Sequence, residues 1–239
     1  MGSFKLPSEV RYSELIWNAP LSEPHAENLL TQLDLGGAKD IVDLGCGWGE
    51  LLIRAAARSP RGAIAGGVDT DDSLLERGRR EAKNRQVEVV FSQQNAQDWI
   101  GRANRVICIG ASHSLGGSVA MMRRLAEVVQ SGVALVGDAV WTQEPTKAAL
   151  EAFQEVVSLA ELIAAARDAG WTVMHVSIAD QSEWDEFESL HRAGPRKWLA
   201  QNLNHPRAPE VRREVDSRER FYSDTQRGVL GFAYLVLAR

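Results

Sequence analysis

Cysteine is nearly absent from the 239-residue chain, which carries only Cys46 and Cys108. Two thiols in apolar stretches make no disulfide framework, so both read as small core residues. No apolar run approaches the ~20 residues that a membrane-spanning helix needs, which excludes a membrane span as an expectation. Basic residues are not in excess: 27 Lys and Arg face 32 Asp and Glu, for a net charge of −5. With a pI near 5.6 the chain is not expected to grip a nucleic-acid backbone. Acids and histidines do not cluster at ligand spacing, so no metal is expected. The first ten residues show no signal peptide, and Gly2 lacks the Ser or Thr at position 6 that myristoylation favours, since Leu6 stands there. Repeats and low-complexity tracts are also missing. The expectation is one soluble cytoplasmic domain spanning 1–239.

What is present is organised around Ile41 to Glu50, IVDLGCGWGE. The apolar run reads as a buried strand, Gly45, Gly47 and Gly49 as a tight turn, and Leu51 to Arg58 as a helix. That arrangement holds a nucleotide-like ligand at the carboxyl end of a parallel strand. A dinucleotide fingerprint needs G-x-G-x-x-G, but position 50 is Glu. A phosphate loop needs Lys and Ser or Thr after its last glycine, and Glu50-Leu51 stands there instead. The remaining pattern, Asp43-x-Gly45-x-Gly47-x-Gly49, resembles the first motif of the class I S-adenosylmethionine-dependent methyltransferases. That cofactor has no phosphates; it needs an acid near its ammonium, and Asp43 is the candidate.

Elsewhere the chain alternates strand and helix signals. Ser22 reads as the N-cap of a helix carrying Leu29, Leu30 and Leu33, within an N-terminal helical segment 1–38. The second strand, Ala63 to Val68, ends on Asp69, whose carboxylate suits both ribose hydroxyls of an adenosine. Asp71 and Asp72 read as caps of a helix from Ser73 to Arg85. A third strand, Val87 to Ser92, leads to Asn95-Ala96, expected beside adenine; the amide oxygen of Asn95 suits an amine donor. A fourth, Arg105 to Ile109, leads through Gly110 to His113, where the transferred methyl is expected to face. His113 is the candidate general base. A helix from Ser118 to Gln130 precedes the fifth strand, Val133 to Val140, which contains Asp138 and ends at Trp141. Pro145 opens a long helical region in which Ser158 and Glu161 form a capping box and which Gly170 closes. The sixth strand is Trp171 to Ile178 and the closing one Val229 to Leu237. Strands alternating with helices predict a doubly wound, mainly parallel sheet.

The stretches WNAPLSEPHAENLL, VDLGCGWGELL, GVDTDDSLLERGRR, ICIGASHSLGG, ADQSEWDEFES and RGVLGFAYLVLAR resemble an actinobacterial-type subgroup of these methyltransferases. The resemblance implies a Rossmann-like seven-stranded sheet with its last strand antiparallel and methyl transfer to a small-molecule acceptor; the acceptor atom is expected to be O or N ahead of C. It also implies that Asp43, Gly45, Cys46, Gly47, Asp69, Thr70, Asn95, Ala96 and Gly110 hold the cofactor. Residues 181–227, about fifty between the sixth and last strands, far exceed an ordinary connection and are expected to form a helical cap over the acceptor. In this stretch Ser182 is the expected helix cap, with Trp184, Phe187, Glu188 and His191 on one face. These, with Tyr12, Trp17, Trp141 and Tyr222, are the acceptor-pocket candidates; core packing competes as an explanation for the aromatic ones. Two other functions stay open: a protein that binds the cofactor without transfer, its cap a regulatory surface, and a nucleotide-sugar or nicotinamide enzyme on the same fold.

Overall fold

Strand β1 (Asp40–Leu44) is buried on both faces from Ile41 onward, as a strand covered on both sides must be, and it lies in the interior of the sheet. The computed structural model describes residues 5–239, so Gly2 lies outside the described residues. On one side of β1 lie β2 (Ile64–Asp69) and β3 (Val90–Gln93); on the other lie β4 (Arg105–Ile109) and β5 (Val133–Trp141). All five are parallel. A two-residue strand, β6 (Val157–Ser158), joins the end of β5. The last strand, β8 (Leu230–Ala238), runs antiparallel between β5 and β7 (Thr172–Ile178). The main path is therefore the expected seven strands, in the order β3-β2-β1-β4-β5-β8-β7.

Alternation along each strand separates two cores. On β8, Phe232, Tyr234 and Val236 join the first, with α2 (Glu23–Gln32) and α3 (Glu50–Arg58). Ala233, Leu235 and Leu237 join the second, with α5 (Ser118–Val128) and α7 (Leu159–Asp168). Each fully buried Leu of these helices stabilises the fold by about 1.5–3 kcal/mol. Local caps follow the sequence. Ser22 caps α2, Asp71 caps α4 (Asp72–Asn84), and Ser158 with Glu161 boxes α7. Among the described residues no helix is long and apolar enough to cross a membrane.

Three expectations differ. The third strand starts at Val90, because Val87 finishes α4: Gln86 takes φ 56° and the Val87 N–H donates to the Ala82 carbonyl. The region from Pro145 to Gly170 is not one helix. Helix α6 (Lys147–Ala152) stops where Phe153 turns inward against the rings of Trp141 and Phe221, and β6 intervenes before α7. The helix after β7 is capped by Asp180, not Ser182. Asp180 stands three residues before Glu183, and the two form a reciprocal box at the start of α8 (Gln181–Gln201). Helix α9 (Ala208–Phe221) then packs on α8, and the short α1 (Ser8–Arg11) packs between α8 and α4. There Gly194 lets the α1 backbone approach α8, since a Cβ at that position would collide with the Val10 carbonyl.

Candidate active site

At the carboxyl ends of β1, β2 and β4 lies a cavity of about 230 Å³. Its floor is the turn after β1. Gly45 and Gly47 take φ values of 79° and 55°, which glycine adopts without strain. A Cβ on Gly45 would lie 2.5 Å from that of Ala111, so this turn and the one after β4 touch. Gly47 faces open space, where a ligand can meet its bare backbone. The N–H groups of Gly45 and Cys46 donate to the Val68 carbonyl, at 2.9 and 3.0 Å. Asp69 ties the turn further, its carboxylate accepting from the N–H of Gly47 at 2.8 Å and of Asp71 at 2.9 Å. Each oxygen keeps a second lone-pair direction for a ligand hydroxyl.

Asp43 is 5% exposed and lines the same cavity without a hydrogen-bond partner among the described side chains. Burial, and then the charge of Asp69, push its carboxyl well above the usual range. Asp43, Glu50 and Asp69 line the cavity, while no Lys or Arg does. Such a lining fits a cation-bearing ligand such as a sulfonium with an α-ammonium, and does not fit a phosphate. Glu50 is already satisfied by Arg85, through two bonds of 2.8 Å, and by Arg54 at 2.7 Å. Burial raises its carboxyl, but those guanidiniums outweigh the effect and hold it low.

The turn after β4 is anchored from beneath. Gly110 N–H donates to the Gly137 carbonyl, and buried Asp138 accepts from the hydroxyls of Ser112 at 3.0 Å and Ser118 at 2.6 Å. His113, between those serines, is exposed at the cavity wall and hydrogen-bonds to no other described residue. Above, Ile16, Trp17, Asn18, Ala19 and Leu21 form the roof. Trp48 Nε1 donates to the Ile16 carbonyl at 3.0 Å. Arg77 donates to the carbonyls of Tyr12 and Leu15 at 2.8 and 2.7 Å while its guanidinium lies 4.2 Å over the Trp48 ring. Arg54 covers Trp17 at 4.6 Å. The roof and the segment leading into it are thus held through backbone carbonyls by side chains of the turn and α4, and through the Trp17 ring by α3.

A family model for the methyltransferase domain matches residues 35–194. The chain belongs to the methyltransferase domain family. It is accordingly an S-adenosylmethionine-dependent methyl-transfer enzyme. In sequence it is 26% identical to the YjhP protein of Escherichia coli strain K12, over 91% of this chain and 92% of that one. It is also 26% identical to a trans-aconitate 2-methyltransferase of Afipia carboxidovorans, over 70% of this chain and 63% of the relative. In structure it is similar to an S-adenosylmethionine-dependent methyltransferase of Thiobacillus denitrificans solved with S-adenosyl-L-homocysteine. The TM-score is 0.86 at 27% identity, with 99% of this chain and 100% of that one covered.

Of the residues singled out by sequence, the methyltransferase brings Asp43, Gly45, Cys46, Gly47, Asp69, Thr70, Ala96, Gly110, His113 and Trp17 to one cavity. Asn95 does not line it: its amide oxygen accepts from Gln97 N–H and caps its own turn, while Gln94 takes the place on the wall. Burial raises the Cys46 thiol, so it stays protonated. Tyr12 stacks behind the roof, its ring 6.1 Å from Trp48. Trp141 packs on Phe153, and Trp184 sits in the first core with its Nε1 unpartnered. Tyr222 donates to Asp185 at 2.6 Å. Glu188 is ion-paired to Arg218 and Arg192, and His191 borders a separate cavity. The face Trp184–His191 lines no part of the cleft: Trp184 is in the core, Glu188 is paired inside the 181–227 segment, and the His191 ring meets Tyr12. Sequence reasoning missed Trp48, Gln94 and most of the roof. Trp48, a bulky ring between two turn glycines, was the one signal available.

Proposed function

We propose that this methyltransferase carries the methyl group to an oxygen or nitrogen of a small-molecule acceptor. The observation that carries the reading is the roof: Ile16–Leu21, fixed by Trp48, Arg77 and Arg54, lies over the cavity and favours an acceptor small enough to fit beneath or beside it. Beyond the roof, a second cavity of about 380 Å³ shares Ile16, Trp17, Ala19 and Leu21 with the cleft and is closed by Phe187 and Leu190 of α8. It suits the body of a small acceptor. The named activity of the trans-aconitate relative, and the likeness to the actinobacterial-type subgroup, support the same class. Segment 181–227 then acts as a cap that braces the roof: Glu183 accepts from Ser22 N–H at 2.8 Å and meets His25 Nδ1 at 3.0 Å.

The cofactor supplies an activated methyl on a sulfonium. The chain's own residues do the rest. In this reading Asp43 holds the ammonium, Asp69 the ribose hydroxyls, and the bare backbone of Gly45 and Gly47 admits the ligand. Gln94 and Ala96 flank the base. His113 takes the proton lost by a hydroxyl or amine acceptor, held in place by a turn that Asp138 anchors. Two unpaired cysteines accord with a reducing, cytoplasmic setting. The test is turnover of labelled cofactor with a small-molecule pool, the product identified by NMR. A methyl on O or N of a small product supports the reading; methylated carbon, protein or nucleic acid refutes it. A His113→Ala enzyme should lose most of its rate. A full rate in that variant would leave His113 a wall residue.

A further inference from the structure

A third cavity, of about 140 Å³, lies where α1, α8 and α9 meet, room for a molecule of only a few heavy atoms. Leu6, Pro195 and Val211 give it an apolar wall, and Arg11, Arg192 and Arg218 a cationic one. Three carboxylates, Glu188, Glu214 on the cavity wall and Glu219, face these arginines, but at distances that leave part of the guanidinium N–H set unmet. Glu188, 1% exposed, is the carboxylate buried among them, and Arg218 engages both its oxygens at 2.7 and 3.0 Å. Arg192 keeps only a 3.4 Å contact with Glu188. Arg192 is 7% exposed, yet its Nε has no hydrogen-bond partner among the described residues. Another carboxylate near that Nε, Glu219, is 4.0 Å away and half exposed. Arg11 comes no nearer than 3.9 Å to Glu214. A guanidinium removed from water without its full set of acceptors is costly, and one more carboxylate in the cavity would relieve the cost.

We propose that this cavity binds a small organic anion, a carboxylate with a short apolar tail, through Arg192 and Arg11 with the tail against Leu6 and Val211. The site is distinct from the cofactor cleft. It adjoins that cleft through one stack of rings: His191 at its edge meets Tyr12 at 5.3 Å, and Tyr12 meets Trp48.

Calorimetry on the full chain with butanoate tests the proposal, with butyramide and inorganic phosphate as comparators. Butanoate should bind saturably and shift the imidazole resonances of His191, with butyramide not binding and phosphate binding more weakly. Arg192→Met and Arg11→Gln should each weaken butanoate about ten-fold, the share of one charge-assisted hydrogen bond. Cofactor binding serves as the folding control. Arg11 lies at the surface end of the cavity, so Arg11→Gln alone decides the matter if Arg192→Met does not fold. No saturable binding, butyramide or phosphate binding as tightly as butanoate, or an unchanged Arg11→Gln would each overturn the assignment.

Discussion

At the scale of single residues, two acids carry the cofactor reading and respond to different tests. Asp69 holds the Gly47 turn and, in the proposed role, the ribose. Asp69→Ala should weaken the cofactor by roughly 1.5–3 kcal/mol, measured by calorimetry, with the fold retained. Unchanged affinity would remove Asp69 from the site. Asp43 is buried and its carboxyl raised, so part of its population holds a proton at pH values where an ordinary carboxylate is charged. An ammonium beside it restores the charge, so binding releases a proton and affinity should rise with pH. Asp43→Asn should flatten that dependence, and an equally steep slope in the variant would place the linkage elsewhere. Asp43, the turn glycines and Asp69 were legible because motif and strand end lie within one βαβ unit. Gln94 was not: whether it or Asn95 meets the cavity turns on a single residue's phase in an irregular turn.

At the scale of elements, local and distant partners divide what the sequence shows. The caps of α2, α4 and α7 depend on residues two or three positions away, and each was readable. The Arg77 clamp on Tyr12 and Leu15 joins residues more than sixty apart, and periodicity gives no hint of it. The same holds for Glu188, whose place on the α8 face suggested a pocket until Arg218, thirty residues later, came to meet it. Its burial makes a strong prediction. Glu188→Gln removes the charge shared by two guanidiniums and should destabilise the protein by about 3–5 kcal/mol in urea unfolding. A loss below ~1 kcal/mol, typical of an exposed pair, would mean that water reaches these arginines freely.

At the scale of the whole molecule, acid sensitivity should originate in the 181–227 segment. His191 is held neutral: burial first, then Arg218, Arg11 and Arg192, depress it to about 3. A group depressed in the folded state contributes stability that is complete above its unfolded value near 6.5 and drains as pH falls toward 3. Glu183 adds a lower window. Burial raises it, but bonds from His25, Ser22 and Asp180 bring it to about 2, so its contribution fades between 4.5 and about 2. The melting temperature should therefore decline from pH 6.5 downward. His191→Phe should flatten the upper part of that decline, and an unaltered curve would exclude His191 as its source.

The position of β8 has a consequence for how the chain reaches this state. Among the described residues strand β7 pairs with β8 alone, and β8 also covers the open side of β5. A ribosome delivers β8 after every other strand, with α8 and α9 synthesised in between. Until it arrives, β5 presents a long apolar edge and β7 has no partner, so the nascent protein is a half-built sheet with adhesive borders. Chaperone dependence should therefore concentrate in the interval between synthesis of β7 and emergence of β8.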